Sequence, residues 1–115
     1  MPYIAFNTSL KLSKEQKEKV KAEFGRLITL IPTKAEAGLL VDFSDGRTMY
    51  RAGEEAPCAF TEVRLFGKAE FEPKKKFTQA VFKMLEKELG LEIPRMYLNI
   101  LEFDNWGSKG DYNTK

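Results

Sequence analysis

The sequence predicts an α+β domain: two β-α-β units forming a four-stranded mixed sheet with two helices on one face. Three observations carry that expectation. Strand, helix and strand signals occur in that order twice along 115 residues. Each helical pattern is bounded by cap or breaker residues, Ser13 with Gln16 and then Pro32 in the first half, Pro73 and Gly90 in the second. Each unit is also long enough for a right-handed crossover, which makes its two strands parallel.

The elements follow in order. Residues 2–8, Pro-Tyr-Ile-Ala-Phe-Asn-Thr, are short and β-rich and read as a strand. Ser13 and Gln16 have capping-box spacing, so a helix starts there. Val20, Phe24, Leu27, Ile28 and Ile31 recur at three- and four-residue steps and form its apolar face. The intervening lysines and glutamates make a solvated face. Residues 38–43 read as a buried strand, closed by Ser44-Asp45-Gly46, and a short strand is expected around residues 48–51. In the second half, residues 59–66 alternate as a strand and Gly67 stops it. Pro73 suits the first turn of a helix, whose face is Phe77, Val81, Met84, Leu85 and Leu89. Gly90 is its C-cap, and residues 96–103 form the last strand. The division is therefore one domain over 1–115, with units at 2–51 and 57–103 and a tail at 104–115. Helices on one face leave the other face of the sheet bare. Apolar residues available to both faces, Leu40, Phe60 and Leu98 among them, predict that another subunit covers it.

Composition excludes several classes of function. The net charge is +2, and lysines alternate with glutamates, so no one-signed face exists for nucleic acid or a membrane surface. There is no histidine and a single cysteine, Cys58, which removes the usual zinc ligand sets, disulfide frameworks and Ser-His or Cys-His nucleophile pairs. The eight glycines are dispersed and make no phosphate-binding loop. Cys58 reads as a small buried apolar residue. No apolar run is long enough to span a bilayer. The start Met1-Pro2-Tyr3 has no signal-peptide pattern, so the expectation is a cytoplasmic protein, with leaderless secretion the other route.

What remains is Pro2. With Met1 removed, its free secondary amine is a base. A secondary amine is more basic than an ordinary α-amino group, so it needs an apolar pocket or a nearby cation to be neutral at physiological pH.

The chain resembles the macrophage migration inhibitory factor family of the tautomerase superfamily. The matching pieces are Met1-Pro2 running into Phe6-Asn7-Thr8, Lys34 before the second strand, and Gly53-x-x-x-Pro57-Cys58-Ala59. They continue with Leu65-Phe66-Gly67-Lys68, Leu89-Gly90, Pro94-Arg95-x-Tyr97-x-Asn99, and Trp106 and Tyr112 in a Gly/Asn-rich tail. The resemblance implies a homotrimer with active sites at subunit interfaces. It implies a cofactor-free, metal-free keto–enol tautomerase for aryl pyruvates, with Pro2 as the base. Lys34 then pairs with the substrate carboxylate and lowers the Pro2 pKa, and Phe66 contributes to the pocket. Tyr97 and Asn99 come from a neighbouring subunit, and Trp106 walls the pocket. Two alternatives stay open: a cytokine-like binding protein with a vestigial pocket and a protein receptor, and a proline-dependent dehalogenase or hydratase. The second needs a water-activating carboxylate, which the sequence does not place near Pro2, besides arginines such as Arg51 and Arg64. The Cys-x-x-Cys of the vertebrate cytokines is here Cys58-Ala59-Phe60-Thr61, and Gly38 stands where an aromatic pocket residue is common, which predicts a wider pocket.

Overall fold

A computed structural model describes residues 1–115. Strand β1 (Pro2–Thr8) leads into helix α1 (Lys14–Leu27), and strand β2 (Leu40–Ser44) returns beside β1. Strand β3 (Ala59–Phe66), helix α2 (Phe71–Leu89) and strand β4 (Met96–Phe103) repeat the plan. A hairpin of β5 (Asn105–Ser108) and β6 (Asp111–Thr114) follows. The main sheet has the order β2-β1-β3-β4, with β1 parallel to β2, β3 parallel to β4, and the two units joined antiparallel through β1 and β3. The mixed four-stranded sheet and two helices agree with the α+β expectation.

Local chemistry explains the boundaries. The Ser13 hydroxyl accepts the Gln16 N–H at 3.1 Å, and the Gln16 side chain accepts the Ser13 N–H at 2.9 Å, so both halves of the capping box exist. The first helix ends sooner than its apolar periodicity suggests: the α geometry stops at Leu27 and Ile28–Leu30 tighten into a 3-10 turn. Gly90 ends α2 in the left-handed region at φ 68°, its N–H donating to the Glu86 carbonyl.

The core lies between the sheet and the helices. Ile4 and Phe6 of β1 and Val63 and Leu65 of β3 meet Val20, Phe24 and Leu27 of α1 and Phe77, Val81 and Leu85 of α2. Phe6 and Phe24 meet edge to face with ring centroids 6.0 Å apart. Cys58 is buried, and its carbonyl accepts the Thr8 hydroxyl at 2.9 Å.

Two strand expectations need correction. The strand expected at residues 48–51 does not form; the only pairing there is an isolated bridge between Arg51 and Glu54. β2 begins at Leu40 instead of Gly38, because Glu36–Gly38 turn as a short 3-10 segment first. Leu98 faces the helices with its partner Thr61, while Leu40 and Phe60 lie on the other face. That other face is mixed instead of apolar. Tyr3 donates to Asp42 at 2.8 Å and lies under the Arg64 guanidinium, next to exposed Leu40, Leu101 and Phe103. Finally, the tail at 104–115 is ordered as a hairpin. Its loop, Lys109-Gly110, has both φ angles positive (54° and 78°), the two-residue turn whose twist suits a hairpin. Asn113 locks it by donating to the Trp106 carbonyl at 3.2 Å.

Candidate active site

The sheet brings the start of β1 and the ends of β3 and β4 to one edge of the molecule. Pro2 pairs with Leu65, and Phe66 pairs with Phe103, so the chain start lies beside the aromatic ends of two strands. The hairpin then folds back over that edge. Trp106 stacks on Phe66 with centroids 6.3 Å apart and planes 22° from parallel, and Phe103 tilts against the same indole at 6.1 Å.

Two hollows flank this aromatic group. The first, of 830 Å³, is an open cleft lined by Met1, Pro2, Leu40, Phe103, Trp106 and Tyr112, with Arg64 and Lys109 as its cations. Pro2 is buried and Met1 is half-buried. Gly38 borders the chain start: a Cβ built there would meet Met1 Cα at 3.7 Å and Pro2 Cδ at 3.9 Å. Those are ordinary contacts, so a larger residue would extend over Pro2, and the glycine leaves that flank of the cleft open. The second hollow, of 500 Å³, lies beside it and is lined by Lys34, Phe66, Gly67, Asp104 and Lys115 among others. Phe66 lines the second and Trp106 the first, so the two stacked rings belong to both hollows.

Lys34 sits in the loop after α1, where Thr33 takes a left-handed φ of 70°. The loop aims the lysine inward, and its Nζ donates to the Phe66 carbonyl at 2.9 Å. Burial and then the Lys115 charge hold the Lys34 ammonium below the usual lysine range. The α-amine at the start of β1 is likewise held below its ordinary value, first by burial, then by the Lys34 and Lys115 charges. An amine at this edge is therefore biased toward its neutral, proton-accepting form.

Of the residues singled out in the sequence, Pro2, Lys34, Phe66 and Trp106 fall together. Tyr97 and Asn99 do not join them within one chain. Tyr97 pairs with Phe60 and Asn99 with Glu62. That puts them about 16 Å and about 10 Å along the sheet from Leu65, the partner of Pro2, at about 3.3 Å per residue. The Tyr97 hydroxyl instead accepts Arg51 Nε at 3.4 Å, and its ring tilts against Phe60. Asn99 is exposed at the edge strand β4. Sequence reasoning missed Phe103 and Lys115. The pairing of Phe103 with Phe66 is the signal that could have found the first. Nothing local marks the second, because the hairpin alone carries it back to Phe66.

Comparison with known proteins places this architecture. The sequence model of the family described as macrophage migration inhibitory factor (MIF) matches residues 1–111. Among solved structures, MIF2 of Leishmania major superposes with a TM-score of 0.91 at 23% identity, covering 98% of this chain and 97% of that one. The MIF-like protein of Entamoeba histolytica gives 0.86 at 18% identity, covering 97% and 98%. Pt0534, described as inactivated by 2-oxo-3-pentynoate, gives 0.84 at 18% identity, covering 94% and 93%. No curated protein matches the chain. The match to the family over nearly the whole sequence, on a fold shared with these structures, makes this chain a member of the macrophage migration inhibitory factor family within the tautomerase superfamily.

Proposed function

We propose that the protein is a cofactor-free keto–enol tautomerase for aryl pyruvate-type 2-oxo acids. Pro2, freed by removal of Met1, is the base. The observation that carries this reading is the surroundings of the chain start: a buried proline at an aromatic-walled cleft, beside a lysine without an acidic partner. Pro2 is buried and Met1 half-buried, so the amine uncovered by excision belongs to the same edge. Burial and the lysine charges favour its neutral form there as they do for the Met1 amine. Enolisation of a 2-oxo acid needs a base at C3, a cation for the carboxylate and an apolar wall for the aryl group. Pro2, Lys34 and the Phe66–Trp106 stack can meet those needs in turn. The description of Pt0534 as inactivated by a 2-oxo acid supports the substrate class.

The active unit in this reading is a homotrimer. Family membership suggests oligomeric assembly with sites at subunit interfaces. The distance of Tyr97 and Asn99 from Pro2 within one chain fits a site completed by a second copy. The exposed Leu40, Tyr97, Leu101 and Phe103 are surface that such a copy would cover.

The test is enol–keto turnover of phenylpyruvate by chains sorted by mass spectrometry. Protein lacking Met1 is expected to turn over well above the solvent rate. Protein carrying one extra residue ahead of Pro2 has an amide at that nitrogen and is expected to lose about 10²-fold or more, the smallest contribution of a tuned base. Turnover at the solvent rate by the chain lacking Met1 would overturn the enzyme reading and leave the binding-protein one.

A further inference from the structure

The hollow beside Phe66 holds two ammonium groups. Lys34 reaches the Phe66 carbonyl, and Lys115 Nζ lies 5.0 Å from the centroid of the Phe66 ring. The ion pairs of the chain are Lys17–Asp45, Arg26–Glu23 and Lys74–Glu102, so neither lysine has an acidic partner. Glu70, Asp104 and Lys68 line the same hollow, but neither carboxylate comes within ion-pair distance of Lys34 or Lys115.

Lys115 is held in place by contacts of its own. Its backbone N–H donates to the Asp104 carbonyl at 3.0 Å. Its aliphatic stem lies over Gly67, where a Cβ would meet Cε at 3.0 Å and Cγ at 3.2 Å. Gly67 has φ +83°, so the left-handed turn that ends β3 also leaves room for this stem. Two like charges beside one aromatic ring repel each other, and an anion bound between them relieves that repulsion. Their fields also reach the start of β1, where both contribute to lowering the amine.

We propose that Lys115 is the second cation of the substrate site, and that Lys34 and Lys115 together hold the carboxylate and C2 oxygen of a 2-oxo acid beside the Phe66 ring. The assignment rests on the tautomerase reading and adds a residue to it. In the forward step, Pro2 nitrogen takes a proton from substrate C3, and the C–H pair becomes the C2=C3 bond. The carbonyl π pair moves to the C2 oxygen. Negative charge then sits on two neighbouring groups, and a second fixed cation stabilises this state more than the ketone. The oxygen takes a proton from water, and the Pro2 ammonium returns its proton to the hydroxide formed. One lysine suffices for a carboxylate; two match the pair of charges on the enolate.

Lys115→Met keeps the stem over Gly67 and removes only the charge, and Lys115→Arg keeps the charge. Two readouts separate this proposal from the reading beneath it. The first is binding of 3-phenylpropionate, an aryl carboxylate lacking the 2-oxo group, against its methyl ester, by NMR titration. Lys115→Met is expected to weaken the acid about fivefold, near the upper limit for an exposed ion pair, and to leave the ester unchanged. The second is phenylpyruvate turnover, where kcat/KM is expected to fall about tenfold in Lys115→Met and to recover in Lys115→Arg. If the wild type has no turnover, the tautomerase reading falls while acid-over-ester binding still reports on Lys115 as an anion site. An unchanged acid-to-ester ratio in Lys115→Met would overturn the proposal, as would equal losses for both.

Discussion

Pro2→Gly is expected to leave the protein folded and to reduce phenylpyruvate tautomerisation by about 10²-fold, within the range that one tuned base contributes. The fold should survive because Pro2 has no N–H to lose and pairs with Leu65 at the end of the β1–β3 ladder. Glycine is small enough for Met1 removal to proceed, so the variant still presents an amine. That amine is primary and is no longer fixed by a ring packed into the edge, so both its basicity and its aim toward C3 change. Far-ultraviolet circular dichroism and light scattering should match the wild type while turnover falls. A variant with the wild-type rate would mean that the ring nitrogen is not the base.

Much of this architecture is legible in the sequence because its signals are local. The capping box at Ser13, the left-handed Gly90 and the period of Phe77, Val81 and Leu85 all act within a few residues. Other features depend on partners far along the chain. Residues 48–51 have strand composition, but no strand of the same chain pairs with them, and only Arg51 bridges to Glu54. The hairpin was hidden because Lys109 occupies a positive-φ position where Asn or Asp is the usual signal. The site divides the same way. Motif pieces point to Pro2, Lys34, Phe66 and Trp106, and three strands and a loop bring them to one edge. Lys115 reaches Phe66 from 49 positions away through that unrecognised hairpin, so no spacing could have announced it.

The second large effect concerns the support of β1. Phe24 is fully buried in α1 and meets Phe6, four residues after Pro2 on β1. Phe24→Ala removes that ring from a packed interior, and such truncations cost about 3–5 kcal/mol through lost transfer energy and the cavity left behind. Domains of this size hold only about 5–15 kcal/mol in total, so this is a large share. Urea unfolding at fixed protein concentration is expected to show a much lower midpoint with little change of slope. A shift below about 1 kcal/mol, by the same linear relation, would mean that α1 contributes little to holding β1 in place.

The central claim is that the Pro2 nitrogen, once terminal, is a neutral base at physiological pH because burial and two lysines disfavour its charge. In the structure the corresponding Met1 amine is lowered by burial first, then by Lys34, then by Lys115. The sign follows directly: a lowered pKa increases the free base at neutral pH, and activity is lost as pH falls through that pKa. The most direct measurement is an ¹⁵N NMR titration of Pro2 in the chain lacking Met1, set beside the pH profile of kcat/KM for phenylpyruvate. The account predicts a Pro2 titration below the ordinary α-amino range of about 7.7–8.0, coinciding with the acidic limb of the profile. A Pro2 nitrogen that titrates at or above that range, with no matching limb in the rate, would contradict it.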